Sequence, residues 1–306
     1  MATNDLVFAL TTDALDRRPL FSVKTSFLGG CVWSFATVAD GHVMPVARVA
    51  EDLFATTPAT ADNRRYWFVF DGRYYSVAGD AEASRAPFAK GYSVKSIGAM
   101  ASGSLFAIES LQRNGDVESD LRLVNIATGR SRPLRYRGWT ESLARAWDGN
   151  LYFRLFEHWH CHVFEVKTDG RAADTAACQW ENGHGIALGL DGGIWQPAPF
   201  GAAEYVGSRM LHGVSPFAKY TCVITNTAAL EAHIITSDPA GNVWFAYASL
   251  LWMRNRTGTL FSTPLPGGGA ANAMVRTNDG SLWIAGVTKS GMTALYRFIS
   301  NAESRP

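Results

Sequence analysis

One short pattern recurs five times in this chain of 306 residues and limits what the chain can fold into. In each copy a small or acidic residue and a glycine lead into a pair of apolar or aromatic residues. The copies are ASGSLFAI from Ala101, WDGNLYFR from Trp147, LDGGIWQP from Leu190, PAGNVWFA from Pro239 and NDGSLWIA from Asn278. Glycine tolerates the positive φ of a tight turn, and β-branched and aromatic residues favour strands. Each copy therefore predicts a turn that leads into a β-strand.

The spacing of the copies predicts the architecture. The residues before the glycines are 46, 43, 49 and 39 positions apart, and a period of about 40 to 45 residues is typical of a four-stranded propeller blade. At that period 306 residues give seven blades. Six stay possible, because the weaker copies ADGHVMPV and FDGRYYSV are only 31 residues apart. We predict one all-β domain over residues 1–306, folded as a β-propeller.

The two ends of the chain are expected to close the ring. The final unit has room for about three strands after Asn272, one fewer than a full blade. We therefore predict that LVFALTT, from Leu6, supplies the outer strand of the last blade. A blade shared between the two ends would leave the sheet without exposed edges.

Charge and cysteine content limit the partners and the compartment. With 28 basic and 27 acidic side chains the net charge is +1, so no overall field attracts nucleic acid or an anionic membrane. We see no secretory signal and no apolar run of about 18 residues. The four cysteines have no CxxC spacing, which argues against a structural zinc module and predicts reduced thiols. We expect a cytoplasmic monomer that binds a small molecule, with neither nucleic acid nor a membrane as partner.

A polar residue stands at one position of every copy, seven residues before the residue that precedes the glycine. These residues are Lys95, Glu141, His184, His233 and Asn272. The position begins the innermost strand, which in a propeller lies beside the axis, so these side chains are expected to converge near one mouth of the channel. Two residues earlier stand Trp139, Asn182 and Glu231. Imidazoles and carboxylates suit proton transfer or metal binding, although the starts of strands are also polar because they are solvated.

The loop EHWHCH is a second candidate for substrate binding at the same mouth, since it joins the second and third strands of a blade. In an extended segment His158, His160 and His162 share one side, and neutral imidazoles bind Zn, Ni or Cu. Solvated histidines at the end of a hairpin are the alternative. The nearby RSRPLRYR, with Arg130, Arg132, Arg135 and Arg137, predicts the solvated face of an outer strand rather than a phosphate site.

The unit AHIITSDPAGNVWFAYASLLWMRNRTGTLFSTPLP resembles a repeat of the virginiamycin B lyase family, and HGIALGLDGGIWQPA and NDGSLWIAG look like further copies. The resemblance covers the C-terminal half of the chain. It implies a seven-bladed propeller that opens a cyclic depsipeptide antibiotic by eliminating the ester oxygen, with the help of a magnesium ion. It also implies that His184 and Glu231 bind the metal and that His233 is the general base.

One residue departs from the family pattern. The family's second metal-binding carboxylate falls on Tyr247. Because Mg²⁺ prefers oxygen ligands such as carboxylates, this change would weaken the site, shift it toward Zn or Mn, or abolish it. Tyr247 is then a candidate acid for the leaving oxygen.

Three functions stay open at this point. The first is a metal-assisted lyase, or a related acid–base enzyme, that acts on a cyclic or ester-containing small molecule at the channel mouth. The second is a non-catalytic propeller that binds a small ligand or a protein at the same face. The third is an enzyme of another class that uses the histidine loop as its metal site.

Overall fold

The computed structural model describes residues 6–12, 17–27, 30–49, 58–79, 81, 84–85, 91–112, 118–141, 143–157, 160–178, 186–190, 193–198, 200–205, 220–222, 230–231, 234–247 and 249–299. In these residues the strands follow one another in seven groups of three or four antiparallel strands, and the fifth group has an additional strand paired in parallel. The third and fourth groups are joined into one sheet where the end of the last strand of the third group pairs with the second strand of the fourth. The predicted β-propeller fold is confirmed. Seven groups agree with seven blades, and the number of blades itself stays a prediction.

Within each group the strands pair in the order of the chain. The first two groups are β1 (Leu6–Thr12), β2 (Pro19–Phe27), β3 (Gly30–Ala39) and β4 (His42–Val49), then β5 (Tyr66–Phe70), β6 (Arg73–Val77) and β7 (Ser84–Arg85). The third and fourth are β8 (Ser93–Ala99), β9 (Leu105–Gln112), β10 (Ser119–Asn125) and β11 (Ser131–Thr140), then β12 (Ala144–Arg145), β13 (Leu151–Glu157), β14 (His160–Val166) and β15 (Ala172–Cys178).

The remaining groups complete the order. The fifth is β16 (Ala187–Leu188), β17 (Ile194–Ala198), β18 (Phe200–Tyr205) and β19 (Tyr220–Cys222), and β20 (Leu230–Glu231) pairs in parallel with β18. The last two are β21 (Ile234–Ser237), β22 (Val243–Tyr247), β23 (Leu250–Arg254) and β24 (Leu260–Pro264), then β25 (Ala270–Arg276), β26 (Ser281–Val287) and β27 (Thr293–Ile299). A single turn of 3₁₀ helix, Pro266–Gly268, precedes β25. Among the residues described, no helix has the length and apolar character needed to span a membrane.

The predicted turns connect the first and second strands of these groups. The repeat glycines in the described residues have φ of 83° or 84°, namely Gly103, Gly149, Gly241 and Gly280. Acidic side chains hold the turns: Asp148 accepts a hydrogen bond from the backbone N–H of Asn150 at 3.0 Å, and Asp238 accepts one from that of Asn242 at 2.9 Å. These bonds satisfy N–H groups that the turn removes from the strand ladder.

Apolar side chains between neighbouring groups form the core. Between the third and fourth groups, Phe106 and Ile108 of β9 pack in one cluster with Phe153 and Leu155 of β13, and all four are fully buried. Each fully buried side chain of this kind contributes about 1.5–3 kcal/mol. The groups therefore stack face to face, and their inner strands line the centre of the ring.

The ring closes in a different way from the one predicted. β1 is not the outer strand of the last group, because it pairs with β2, with Leu10 opposite Phe21. In the part of the chain described here, the last group has only β25, β26 and β27. Leu10, Phe21 and Val23 pack against Trp283 and Ala285 of β26. Pairing with the adjacent β2 closes a short loop, whereas pairing with β27 would close almost the whole chain at a higher entropic cost.

Candidate functional site

The repeated polar position lies at a β-bulge in the inner strands β8 and β25. Lys95 has no residue opposite it in the ladder between β8 and β9, and Asn272 has none in the ladder between β25 and β26. Both residues are exposed. A bulge redirects the side chain of its extra residue. Two of the predicted substrate-binding side chains thus lie on the surface beside the starts of inner strands, and their binding role stays a prediction.

Trp139 lies near the end of β11, where this strand pairs with β13 of the fourth group, and 48% of its surface is exposed. It is opposite Phe156 in the ladder between β11 and β13, and the two rings stack with centroids 3.9 Å apart and 11° between their planes. Before it, Gly138 has φ of 149°, and a Cβ there would lie 1.9 Å from the carbonyl oxygen of Phe156. Trp139 thus presents a firmly held aromatic surface that is suited to stacking with a ligand. Its predicted role in substrate binding requires such a surface.

Glu141, between β11 and β12, is held by an arginine. Its Oε2 accepts a hydrogen bond from Nε of Arg154 at 2.8 Å, and its Oε1 accepts one from Nη2 at 2.5 Å. The Arg154 side chain is fully buried, and that of Glu141 is 15% exposed. Such a two-point pair is strong, and breaking it leaves a buried charge. A substrate that binds Glu141, as predicted, would have to compete with Arg154.

The histidine loop is partly described. His160 is exposed and His162 is half-buried on one face of β14, as strand alternation predicts, whereas His158 lies outside the described residues. The His162 ring stacks on Tyr136 with centroids 4.4 Å apart, and its Nδ1 lies 3.1 Å from Oδ2 of Asp174. In the described ranges, no three His, Cys, Asp or Glu side chains are grouped to hold a metal ion. The substrate-binding role of the three histidines stays a prediction.

Cys161 takes part in a disulfide bond. The prediction of four reduced thiols is therefore wrong for this residue. Cys161 is buried in β14, directly opposite Cys178 of β15 in the antiparallel ladder, at a separation that a disulfide can span. The register of a hairpin brings these positions together, and no CxxC spacing signals it. Disulfides persist mainly in oxidising compartments, and the cytoplasmic location stays a prediction.

The catalytic and metal-binding residues implied by the resemblance are only partly covered. Three further predicted site residues lie outside the described residues, namely Asn182, His184 and His233. Glu231 belongs to β20, and Tyr247 ends β22, with the backbone alone described at both. β21 begins at Ile234, the residue after His233. The roles of all these residues stay predictions.

A cavity of about 280 Å³ occupies the centre of the ring, among the inner strands of five groups. Its polar lining includes Thr12, Arg145, Trp147, Ser237, Asn272 and Arg276. Apolar side chains contribute the rest, among them Leu143, Ile186, Ile234 and Met274. Asn272 is thus a predicted site residue that also lines this cavity. A ligand bound there would contact inner strands from several groups of the ring.

The charged side chains that line the cavity, among the described residues, are Arg145 and Arg276. Nη2 of Arg145 donates a hydrogen bond to Oγ1 of Thr12. Nη1 of Arg276 lies 2.7 Å from Oδ2 of Asp238, which is fully buried behind it. Burial lowers the pKa of Arg276, and the charges of Asp238 and Asp279 oppose that effect. The lining therefore carries two guanidinium groups, of which that of Arg276 is neutralised by the buried Asp238.

Arg145 and Arg276 were not predicted as site residues, although they stand at equivalent positions of the sequence repeat. Each stands three residues before the turn residue of its copy, so both occupy one position of the repeat. Residues at one position of a propeller repeat lie on a ring around the axis. The other copies have Ala99, Leu188 and Ser237 there. The mixture of residue types hides the pair until the strands are placed.

No family model matches the chain, and no curated protein matches its sequence. Solved structures do match its fold. The Dos1 propeller matches with a TM-score of 0.60 and 10% identity, over 95% of this chain and 77% of that one. YCF48 from Cyanidioschyzon merolae matches with a TM-score of 0.57 and 12% identity, over 98% and 97%. Pyrococcus horikoshii acylaminoacyl peptidase matches with a TM-score of 0.60 and 11% identity, over 96% and 51%.

These similarities show the fold alone, because their identities are so low. The chain also spans only 38% of the extracellular domain of a hybrid two-component system from B. thetaiotaomicron, at a TM-score of 0.54 and 11% identity. The neighbours include an enzyme, the peptidase, and a protein described simply as a propeller. They support a β-propeller protein and do not single out the virginiamycin B lyase family.

Proposed function

We propose that this protein binds a small organic anion in the central cavity of its propeller. The observation that supports the proposal is the lining of the cavity. Among the described residues, the charged side chains of this lining are the two guanidinium groups of Arg145 and Arg276. Guanidinium groups bind carboxylates through two parallel hydrogen bonds. In a concave site with low-dielectric walls, their attraction for an anion is stronger than in water.

The size of the cavity limits the ligand. A cavity of about 280 Å³ is just below the range of about 300–1,000 Å³ that is typical for drug-sized ligands. A macrocyclic depsipeptide does not fit inside and would have to bind at the mouth. Leu143, Ile234 and Met274 suit the apolar body of a smaller ligand, while the arginines suit its acidic group.

Thermal unfolding with matched pairs of probes, such as benzoate and benzamide, tests this function. The two molecules share a ring and differ in charge. A saturating anion at about 100 times its Kd adds about 2.7 kcal/mol to stability, so we expect a rise in Tm with benzoate and none with benzamide. Arg145→Gln should remove the rise, and Arg64→Gln, an exposed arginine outside the cavity lining, should keep it. Equal effects of both probes, or an unchanged response in Arg145→Gln, would contradict the proposal.

The second candidate function is the acid–base elimination that the resemblance implies. One observation favours it: β21, whose Ile234 lines the cavity, begins directly after His233. As the general base, His233 takes the proton α to an ester carbonyl near neutral pH. The electron pair forms a carbon–carbon double bond as the carbon–oxygen bond breaks, and Tyr247 supplies a proton to the leaving oxygen.

The divalent metal implied by the resemblance fits these residues poorly. The implied donors are one imidazole, His184, and one carboxylate, Glu231, with Tyr247 in place of the second carboxylate. Mg²⁺ prefers carboxylate and water oxygens in octahedral geometry, so this set of donors suits it badly. Elemental analysis after loading with Mg²⁺, Mn²⁺ or Zn²⁺ decides the point. Near-stoichiometric metal that is lost in His184→Ala and Glu231→Ala would favour the lyase, and no bound metal would favour the binding function.

The other partner assignments also stay proposals. We propose a monomer in the cytoplasm with a small molecule as its ligand, and no nucleic acid or membrane as partner. A net charge of +1 is consistent with this set. Size-exclusion chromatography with light scattering tests the monomer.

A further inference from the structure

A second cavity, of about 480 Å³, lies between β11, the outermost strand of the third group, and strands β14 and β15 of the fourth. Three exposed arginines line it: Arg132, Arg135 and Arg171. We call it the arginine recess. The sequence predicts a solvated strand face for the first two arginines, whereas the structure gathers them with the third around one concave surface.

The backbone of β11 shapes the recess. In the ladder between β10 and β11, three residues of β11, 134–136, stand opposite one residue of β10. A bulge of this kind bends its strand and redirects side chains. Tyr136 consequently reaches the neighbouring group and stacks on His162. Arg132 precedes the bulge and Arg135 lies within it, so the bent backbone of β11 places both arginines in the lining of the recess.

The acidic groups near the recess are already engaged. Asp169 accepts a hydrogen bond from Nε of Arg171 at 2.6 Å, and Asp174 lies 3.1 Å from Nδ1 of His162. Arg135 lies over the ring of Tyr136, 5.4 Å from its centroid. Among the described residues neither Arg132 nor Arg135 forms a salt bridge, although the charge of Arg132 acts on Asp169. An external anion would therefore share Arg132 with Asp169, whereas the contact of Arg135 is with an uncharged ring.

The geometry points to a binding site for a phosphoryl group in the arginine recess. Several guanidinium groups around one concavity match a compact, multiply charged oxyanion better than a single carboxylate. An extended nucleic acid backbone needs a continuous basic track, and Asp169 and Asp174 interrupt such a track here. The ligand is thus a phosphate ester or free phosphate, and this site is separate from the central cavity.

Calorimetric titration of the full chain tests the site. The probes are inorganic phosphate, a peptide that contains phosphoserine, the same peptide without phosphate, and duplex DNA. The variants are the double substitution Arg132→Gln with Arg135→Gln, the control Arg64→Gln, and Arg145→Gln in the central cavity. Circular dichroism confirms that each variant is folded, and the substituted arginines of the recess are exposed, so we expect no loss of structure.

We expect phosphate or the phosphopeptide to bind the wild-type protein, and the double variant to weaken binding by about tenfold or more, as the loss of charge-assisted hydrogen bonds requires. The relative affinity of these two probes identifies the source of the phosphoryl group. Equal binding by the wild type and the double variant, or no binding of either probe, overturns the proposal. So does tighter binding of DNA. If Arg145→Gln alone lost phosphate binding, phosphate would bind in the central cavity and not in the arginine recess. Thermal unfolding with benzoate tests anion binding in the central cavity separately, so the two proposals can fail independently.

Discussion

The ion pair between Glu141 and Arg154 allows a quantitative test of how the fold positions the candidate site. Glu141→Gln keeps the size of the side chain and removes its charge, which leaves the fully buried guanidinium of Arg154 opposite a neutral amide. Loss of one partner of a buried pair costs about 3–5 kcal/mol. Because the Glu141 side chain is 15% exposed, water screens part of this cost, and we expect a loss of about 2–3 kcal/mol.

Urea unfolding followed by tryptophan fluorescence measures this loss as a shift of the midpoint at constant slope. A loss of this size is a large share of a typical total stability of about 5–15 kcal/mol. The double variant Glu141→Leu with Arg154→Met removes both charges and should recover most of the stability. A loss below about 0.5 kcal/mol in Glu141→Gln, which is typical of an exposed ion pair, would refute this reasoning. Glu141 could then bind a ligand without competition from a strong ion pair.

Three further predictions follow. Burial and a hydrogen bond to a carboxylate raise the pKa of both Tyr74 and Tyr152. In the unfolded chain the pKa of tyrosine is about 10, so above pH 10 the unfolded state loses protons that the folded state keeps. The free energy of unfolding should therefore fall by about 1.4 kcal/mol per pH unit for each residue. Urea titrations from pH 8 to 11 should show a shallower fall in Tyr74→Phe, and an equal fall would contradict the assignment. Non-reducing peptide mapping should recover Cys161 joined to Cys178, and reduction should cost about 2–4 kcal/mol; four free thiols in the native protein would disprove it. Gly138→Ala should cost about 1–3 kcal/mol because of its positive φ and the carbonyl oxygen 1.9 Å from the added Cβ, and an unchanged Tm would show that the strand can move aside.

The fold could be predicted where local chemistry repeats. Gly149 and Gly241 occupy turns that need positive φ, and the acidic side chains beside them satisfy the freed N–H groups. The closure of the ring could not be predicted in the same way. The alternation in LVFALTT suits a pairing with β2 as well as one with β27, and the difference between them is the cost of closing the intervening chain.

The candidate site could be predicted in part. Asn272, a polar residue near the start of an inner strand, could be predicted, and it lines the central cavity. Arg145 and Arg276 could not be predicted in this way, because they lie at the other end of those strands, where the copies differ in residue type. The partner of Glu141 was also hidden, since Arg154 belongs to an otherwise apolar strand, and pairing across strands depends on register.

The pairing of β1 with β2 has a consequence for synthesis on the ribosome. In a propeller whose first strand belongs to the last blade, that strand waits without a partner until the end of the chain emerges. Here the strands of the first group pair with their neighbours within the same stretch of chain, so β1 does not remain without a partner while the rest of the chain is synthesised. The packing of Leu10, Phe21 and Val23 against Trp283 and Ala285 forms later, once β26 has been synthesised.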